Sequence, residues 1–353
     1  MAYTNINIST NFFNTVLNTG NGSTQSITGV GFQPDFVWGK RRDSTGGHNQ
    51  LYDAVRGVHQ TIYSDGSWEE GTNSDALTSF DSDGFSAGGN GDFNSANNYC
   101  YWNWKAGTTT GIATNGSTNI TPTGYSFNQT SGFSIVKWNG TAVDGAYLPH
   151  GLGKAPELVL LKCTSHAESW NVYSKPMGSG GRLHLNNSDA VDTSRGEWYS
   201  TTPDSVNIRI SNDSHINGSG YTYVAYFFTS IAGYCSIGKF LGTGSTSNSP
   251  FIYTGMRPSF LLLKKTSGTG DYFINDVKRN PSNVVNTQLY PNLNTAEEIS
   301  KIKKKLNQMY ADHTGQPLKV INEAMERDKF MSPEEALDFG LVDKIITHRS
   351  DVE

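Results

Sequence analysis

The stretch PDFVWGK (residues 34–40) decides the fold, because closely similar stretches occur twice more, as PELVLLK (156–162) and PSFLLLK (258–264). The second copy begins 122 residues after the first, and the third begins 102 residues after the second. In each copy a proline precedes a short apolar run that ends at a lysine. A proline at this place marks the start of a strand, and apolar residues on both faces indicate a strand buried in a sheet.

Other segments repeat around this strand. FSIVKWNGT (133–141) matches CSIGKFLGT (235–243), and YCYWNW (99–104) matches YTYVAY (221–226). These matches predict a complete unit near residues 10–107, a second near 130–232, and a third from 233 that contains only its first half. A period above 100 residues is too long for a solenoid or a propeller blade. It favours duplicated β-sandwich lobes, which either close their own cores or share sheets with a neighbour.

Charge and composition exclude several classes of protein. The 353 residues carry a net charge of −5, which provides no basic face for nucleic acid. No apolar run approaches the ~20 residues of a membrane helix, and the N-terminus lacks the pattern of a secretory signal. Three cysteines without a CxxC motif argue against a disulfide framework and a zinc site. We therefore expect no nucleic acid, no membrane and no cofactor.

Residues 10–294 resemble a family of repeated modules in structural or tail-associated proteins of marine tailed phages. The resemblance rests on PDFV (34–37), LYDAVRG (51–57), LTSFDSDGF (77–85) and YTYVAY (221–226). It implies a jelly-roll or lectin-like β-sandwich and no known activity. It also implies a virion location after synthesis in the host cytoplasm, with other virion proteins, further copies of the chain or a host surface glycan as partners.

Asp81 and Asp83, in the sequence DSDG (81–84), are the candidate metal ligands of the first 294 residues. The stretch fails the EF-hand pattern, which needs a third ligand before the glycine and a later glutamate. A β-turn with Asp-Gly at its corner, flanked by Phe80 and Phe85, is the favoured interpretation. No metal site is therefore predicted.

Trp68 and Trp198 are the candidate binding residues, because both lie in polar loops where an exposed ring could stack on a sugar. The adjacent pair Glu69 and Glu70 resembles the two carboxylates of a glycosidase. Neighbouring residues rarely present two carboxylates to one bond across ~5–9 Å, so an exposed loop is favoured. The remaining tryptophans of the repeated strands are expected in the core: Trp102, Trp104, Trp138 and Trp170.

The last 59 residues differ in composition from the rest of the chain. They hold 9 of the 27 Lys and Arg residues and 12 of the 32 Asp and Glu residues. An apolar stripe predicts an amphipathic helix through Ile299, Ile302, Leu306 and Met309, and a second helix carries Leu318, Ile321 and Met325. Ser332 begins a capping box for a short helix that ends at Gly340. A strand is predicted at residues 341–346.

This segment resembles the C-terminal end of the Clp protease proteolytic subunit, through HTGQ (313–316), ERDKFMS (326–332) and GLVDKI (340–345). The resemblance implies that residues 297–310 match part of the handle through which two rings meet, and that Asp328 matches the triad aspartate. A triad also needs a nucleophile and a base. The serine and histidine motifs of the family do not occur in residues 1–294, so we expect no peptidase activity and no active catalytic residue.

The sequence thus predicts five segments: repeat 1 (1–110), a connector (111–131), repeat 2 (132–232), a truncated repeat 3 (233–294) and the Clp-like segment (295–353). A mainly β protein with a short α-helical (α/β) C-terminal segment is the expected fold. A non-catalytic virion structural or adhesion protein fused to an incomplete Clp-like tail is the expected function. The alternative is a Clp-type serine peptidase subunit. The junction predicts a gene fusion or a join made in sequence assembly.

Overall fold

A computed structural model of the chain describes residues 4–43, 46–178, 180–194, 196–199, 201–245, 248–279, 288–294, 297–325 and 331–346, with the backbone alone for 297–305. The chain divides into two compact units, Met1–Ala296 and Glu297–Glu353. Among the described residues, all strands lie in the first unit, and the second contains three helices.

The described residues of repeat 1 form nine strands and one short α-helix. They are β1 (Phe13–Thr19), β2 (Gln25–Thr28), β3 (Phe36–Arg41), β4 (Gln50–Asp53), β5 (Gln60–Tyr63), β6 (Gly71–Thr72), β7 (Leu77–Asp81), β8 (Gly84–Ala87), α1 (Gly91–Asn94) and β9 (Asn98–Trp104).

In the rest of the chain, the residues that the structure describes form nine strands and three α-helices. They are β10 (Pro122–Asn128), β11 (Phe133–Asn139), β12 (Ala146–Pro149), β13 (Leu158–Cys163), β14 (Asn171–Ser174), β15 (Asn207–Ile210), β16 (Thr222–Phe228), β17 (Phe260–Lys264), β18 (Tyr272–Asp276), α2 (Glu297–Thr314), α3 (Leu318–Ala324) and α4 (Pro333–Phe339).

Repeat 1 is a sandwich of two antiparallel sheets. The larger sheet has the order β1-β9-β3-β4-β5-β6, and the smaller has the order β2-β8-β7. The strand predicted from PDFVWGK is β3, and it lies between β9 and β4 with its first five residues buried. Side chains from one face of β3, β4 and β9 meet the small sheet in a core that includes Val37, Tyr52, Phe85 and Tyr101.

Repeat 2 has the same arrangement. Its larger sheet has the order β10-β11-β16-β13-β14, in which β10 comes from the segment 111–131 that the sequence predicted as a connector. The strand β13 lies between β16 and β14 as β3 lies between β9 and β4. A two-stranded sheet of β12 and β15 covers one face, and the core between the layers includes Trp138, Tyr173, Ile208 and Phe227. In repeat 3 the sheet that the structure describes consists of β17 and β18.

The other faces of the two large sheets meet one face of the β17-β18 sheet in one common core. It contains Trp38 and Trp102 from repeat 1, Leu160 and Tyr226 from repeat 2, and Ile274 from repeat 3. The lobes therefore share a core, and repeats 1 and 2 each have a second core of their own. The predicted fold class is confirmed: the protein is mainly β, with antiparallel sheets consistent with a β-sandwich and short helices at the C-terminus.

The lysine that ends each of the three repeated sequence stretches joins neighbouring repeats. Each ammonium donates to a backbone carbonyl of the loop after its own strand and to one in another repeat: Lys40 to Gly47 (2.7 Å) and Leu293 (3.0 Å), Lys162 to Glu168 (2.8 Å) and Ser67 (3.1 Å), Lys264 to Gly270 (2.5 Å) and Ser188 (3.0 Å). Repeat 1 thus contacts repeat 3, repeat 2 contacts repeat 1, and repeat 3 contacts repeat 2. The three repeats follow one another around the common core.

Buried carboxylates repeat this cyclic order. Asp53 pairs with Arg56 and accepts a hydrogen bond from the Tyr226 hydroxyl of repeat 2 at 2.6 Å. Asp276 pairs with Arg279 and accepts one from the Trp102 indole of repeat 1 at 3.2 Å. Repeat 2 has Ser174 opposite Leu158, the position that Asp53 occupies opposite Phe36.

The match between YCYWNW and YTYVAY holds for the strand but not for its register. Trp104 lies opposite Phe36 in β3, whereas Phe228, and not Tyr226, lies opposite the equivalent Leu158 in β13. The spatial equivalents are therefore shifted by two residues from the sequence match. A shift of two preserves which face of a strand each side chain occupies, so the alternation of apolar residues conceals it.

The helical unit differs from the sequence prediction in two places. Leu306 and Met309 of the predicted stripe are exposed, whereas Asn307 and Ala311 are buried. The amide of Asn307 donates to the Asn322 side chain of α3 at 2.6 Å, which turns this other face of α2 toward α3. The predicted strand at residues 341–346 is wrong, because these residues form no strand.

The two end signals of α4 are confirmed. Ser332 and Glu335 form the capping box, and Gly340 caps the C-terminus with φ +85°. None of the helices in the described residues is both long enough and apolar enough to span a membrane.

Candidate functional site

Trp68 lies in the loop between β5 and β6 with 49 % of its surface exposed. Two aromatic rings stand edge-on to it: the His48 ring centre lies 5.1 Å away at 84°, and the Tyr63 ring centre lies 5.5 Å away at 86°. We call these three residues the Trp68 platform. Edge contacts of this kind fix the orientation of a ring while its outer surface stays accessible.

Polar contacts set the position of the His48 ring. The buried carboxylate of Asp65 lies 2.8 Å from Nδ1 of His48 and accepts the backbone N–H of Asn49 at 3.0 Å. Gly66 is required beside the platform, because a Cβ atom there would lie 2.2 Å from the ring of Trp68. The platform is therefore built by the local sequence from His48 to Trp68.

Contacts with repeat 2 hold the loop on both sides of Trp68. The carbonyl of Ser67 accepts from Lys162, and the backbone N–H of Glu70 donates to the carbonyl of Thr164 at 2.8 Å. The carboxylate of Glu70 also pairs with Arg56 at 3.0 Å. Glu70, one of the two adjacent carboxylates at 69 and 70, therefore makes a structural contact. The loop is thus anchored through buried or partly buried partners, and the platform is preformed.

The exposed position predicted for Trp198 is wrong. Its side chain is 3 % exposed and packs in the second core of repeat 2, with its ring centre 5.8 Å from that of Tyr173. The polar residues around it in sequence concealed this burial, because the loop folds back onto the sheet and inserts the indole. Only the tertiary contact with β14 reveals the core role.

The neighbours of Trp198 line a cleft that the sequence analysis missed. Glu197 and Tyr199 face it together with Asp144, Asn212 and Asp213, and its volume is about 470 Å³. The Tyr199 hydroxyl donates to Asp144, and the Arg209 guanidinium lies 4.1 Å from the Tyr199 ring centre. The lining residues come from three separate parts of the chain, so no local motif marks the cleft.

Asp81 and Asp83 belong to a hairpin. Residues 82 and 83 connect β7 to β8, and Phe80 lies opposite Phe85, as the turn interpretation predicted. Asp83 accepts the backbone N–H groups of Gly29 and Gly31, and Asp81 accepts the hydroxyls of Ser79 and Ser86. Within the described part of the chain, no group of three or more His, Cys, Asp or Glu residues could hold a metal ion.

Asp328, the match to the triad aspartate, lies outside the residues that the structure describes. The described helices near it place His313 in the last turn of α2.

Comparison with protein families gives two matches. A model described as a domain of unknown function, DUF7483, matches residues 8–312, most of the chain. The chain belongs to the DUF7483 family. The DUF7483 match covers the whole β unit from β1 onward and continues into α2.

The second family model, Clp protease, matches residues 278–349, which confirms the resemblance of the C-terminal segment. The two matches overlap over residues 278–312, so the DUF7483 pattern continues past the change in composition at residue 295. No solved structure matches this DUF7483 chain.

Proposed function

We propose that this DUF7483 chain is a non-catalytic structural or adhesion protein of a phage virion, and that the Trp68 platform binds glycans on a host surface. The observation that carries the proposal is the half-exposed Trp68 ring in a loop whose flanks are held by Lys162, Thr164 and Arg56. An exposed indole held this firmly does not lose side-chain freedom when it binds.

The chemistry of the platform suits a sugar. The apolar face of a pyranose ring packs on an indole, and the imidazole of His48 offers a hydrogen-bonding nitrogen at the edge of Trp68. The contact with Asp65 at Nδ1 leaves Nε2 of His48 to meet a hydroxyl. A neutral glycan is the ligand class that this pair of stacking and polar groups favours.

The location and partners belong to the same proposal. We place the protein in the virion, after synthesis in the host cytoplasm, in contact with other virion proteins or with further copies of itself. A protein assembled in many copies gains avidity from weak single sites, so an individual platform with millimolar affinity for a glycan would suffice for adhesion.

A glycan-binding screen with the full chain tests adhesion, and Trp68→Ala is the decisive variant. We expect it to weaken binding about tenfold or more, because the stacking surface is removed. Phe251→Ala is the matched control, since Phe251 is an exposed aromatic residue outside the platform. Equal binding by the wild-type protein and Trp68→Ala would contradict the proposal, as would an equal loss in the control.

The Clp protease match at residues 278–349 favours a second function, that of a serine peptidase subunit. We propose that this activity is absent, because the serine and histidine motifs do not accompany Asp328 in the sequence. A fluorophosphonate probe should leave the chain unlabelled. Labelling that disappears when one serine is replaced would establish the peptidase instead.

A further inference from the structure

The strand β17 has one edge that no strand covers among the described residues. In repeat 1 the equivalent strand β3 lies between β9 and β4, and in repeat 2 β13 lies between β16 and β14. In repeat 3, β17 pairs with β18 alone. The side that β9 and β16 occupy in the other repeats is therefore the open side of β17.

The backbone of β17 is arranged to accept a strand there. The N–H of Val277 donates to the carbonyl of Ser259, and hydrogen-bonded pairs alternate along an antiparallel ribbon. Leu261 and Leu263 therefore bond to β18, whereas the backbone groups of Phe260, Leu262 and Lys264 point to the open side. In repeat 2 the equivalent groups of β13 bond to β16, because the N–H of Thr164 donates to Thr222 in the same register.

Burial differs between the three equivalent strands. Val37 of β3 and Val159 of β13 are fully buried, whereas Leu261, at the same position of β17, is 37 % exposed. The segment 235–243, which matches the strand β11 next to β16 in repeat 2, forms no strand and exposes 89 % of Leu241. Phe251, further along the same connection, is also 89 % exposed. An unpaired sheet edge on a strand that also exposes a large apolar side chain, as β17 exposes Leu261, marks a site of strand addition.

We propose that the open edge of β17 binds an extended segment of another polypeptide as an added antiparallel strand, in the place that β9 and β16 take in repeats 1 and 2. Main-chain hydrogen bonds from Phe260, Leu262 and Lys264 hold the segment, and alternate side chains of the segment enter the common core. The proposal concerns a different surface from the Trp68 platform.

Repeats 1 and 2 show the chemistry of the bound segment. In both strands the two spatially equivalent residues that point into the common core near the end are aromatic: Trp102 and Trp104 in β9, and Tyr226 and Phe228 in β16. Trp102 of repeat 1 donates to Asp276 of repeat 3, and Tyr226 of repeat 2 donates to Asp53 of repeat 1. The bound segment therefore carries aromatic residues two positions apart.

The cyclic order of the repeats specifies these aromatic residues further. The residue equivalent to Trp102 and Tyr226 would face repeat 2, where Ser174 and Met177 stand in place of the Asp53 and Arg56 pair. Met177 packs at the edge of the common core. A neutral, partly apolar neighbour of this kind favours phenylalanine as well as tyrosine and does not select a charged residue.

The probe is the peptide SGYTYVAYFFTS (residues 219–230), with lysines added at both ends for solubility and a fluorophore for anisotropy. Added to the full chain, it should bind saturably with a Kd below about 1 mM. In repeat 2, the backbone groups of Val224 and Tyr226 bond to β13, which is the equivalent of β17, and the backbone groups of Tyr223 and Ala225 point to the opposite side of β16. Methylation of the Val224 and Tyr226 amides should weaken binding at least about tenfold, and methylation of the Tyr223 and Ala225 amides should not.

The protein side has its own pair of variants. Leu261→Asp should weaken peptide binding. Leu261 is the equivalent of Val159 in β13, and Val159 lies opposite Phe227 of β16, a residue of the probe peptide. Val143→Asp, an exposed apolar residue of repeat 2, is the matched control. Trp68→Ala should leave peptide binding unchanged, which separates this proposal from glycan binding.

Three results would overturn the proposal. One is the absence of saturable binding, and another is equal binding by the two methylated peptides. The third is a dimer of the chain that Leu261→Asp dissociates and the peptide does not, since β17 would then pair with a second copy of itself.

Discussion

His150 is a buried histidine that is held neutral by its contacts. Its side chain is fully buried, Nδ1 accepts the N–H of Leu152 at 3.2 Å, and Nε2 lies 3.1 Å from the carbonyl of Asp204. A neutral imidazole satisfies both contacts, with Nε2 as the donor. Burial lowers the pKa of His150 to about 4 from its ordinary value of 6.5.

The depressed pKa of His150 predicts a loss of stability in acid. Between pH 6.5 and 4 the unfolded chain binds a proton at this residue and the folded chain does not, so the free energy of unfolding falls as the pH falls. The loss across this window is about 3 kcal/mol. Urea denaturation at a series of pH values measures it.

His150→Gln should flatten this dependence, whereas His166→Gln, at an exposed histidine, should retain it. The same slope in both variants would contradict the prediction.

Asp53 and Arg56 form a fully buried ion pair, and its contribution to the free energy of unfolding depends on both partners. The Nε of Arg56 lies 2.5 Å from Asp53, and both side chains have no exposed surface. Arg56→Met should lower the free energy of unfolding by about 3–5 kcal/mol, because the carboxylate of Asp53 stays buried without its cation.

The double variant Asp53→Asn with Arg56→Met should recover part of this stability, since the uncompensated charge is removed. Chemical denaturation of the two single variants and the double variant measures the coupling. Strictly additive losses would show that the pair does not act as a unit.

Single residues also show where sequence reasoning failed. Trp68 and Trp198 have equally polar neighbours in the sequence, yet one is half exposed and the other is buried against Tyr173. Local composition cannot separate them, because burial depends on the sheet onto which a loop folds. The Asp83 turn was predictable, since its chemistry is contained in four consecutive residues.

At the scale of elements, the best-predicted feature of the helical unit is the start of α4. The hydroxyl of Ser332 accepts the N–H of Glu335 at 3.2 Å, and the N–H of Ser332 donates to the Glu335 carboxylate at 2.8 Å. Ser332→Ala should weaken α4 by about 1 kcal/mol, because the N–H of Glu335 loses its acceptor.

Amide hydrogen exchange over Pro333–Phe339 in the full chain measures this effect, and we expect it to accelerate about fivefold. Ser332→Asp should keep the slow rate, since aspartate is also a good cap. Unchanged exchange in Ser332→Ala would mean that contacts other than the cap hold the helix.

The strands show the limit of pattern matching between repeats. The strand β3 could be predicted from PDFVWGK, because a proline and an apolar run are local signals. The equivalence of β9 and β16 was found, but its register was off by two residues. Side chains on a strand repeat every two residues, so only the observed pairing partners determine the register.

At the scale of the whole molecule, the sequence left open whether the lobes close their own cores or share one. The structure shows that repeats 1 and 2 do both, because their large sheets are apolar on both faces. The sequence contained this information in the continuous apolar runs, which are typical of strands covered on two sides. The cyclic contacts of Lys40, Lys162 and Lys264 could not be foreseen, since each joins residues that are distant in the chain.

A shared core predicts that the β unit unfolds as one cooperative body rather than as three lobes. Ile274 of repeat 3 is fully buried in the common core, together with Trp38 of repeat 1 and Leu160 of repeat 2. Ile274→Ala should lower the free energy of unfolding by about 2–5 kcal/mol, because it leaves a cavity among residues of all three repeats. Native-state amide exchange should then accelerate in β3 and β13 by the same factor as in β18.

Leu261→Ala, in the same repeat but on its exposed outer face, is the matched control and should leave exchange in β3 and β13 unchanged. Acceleration confined to β17 and β18 would show that repeat 3 unfolds alone, and that the common core does not couple the three repeats.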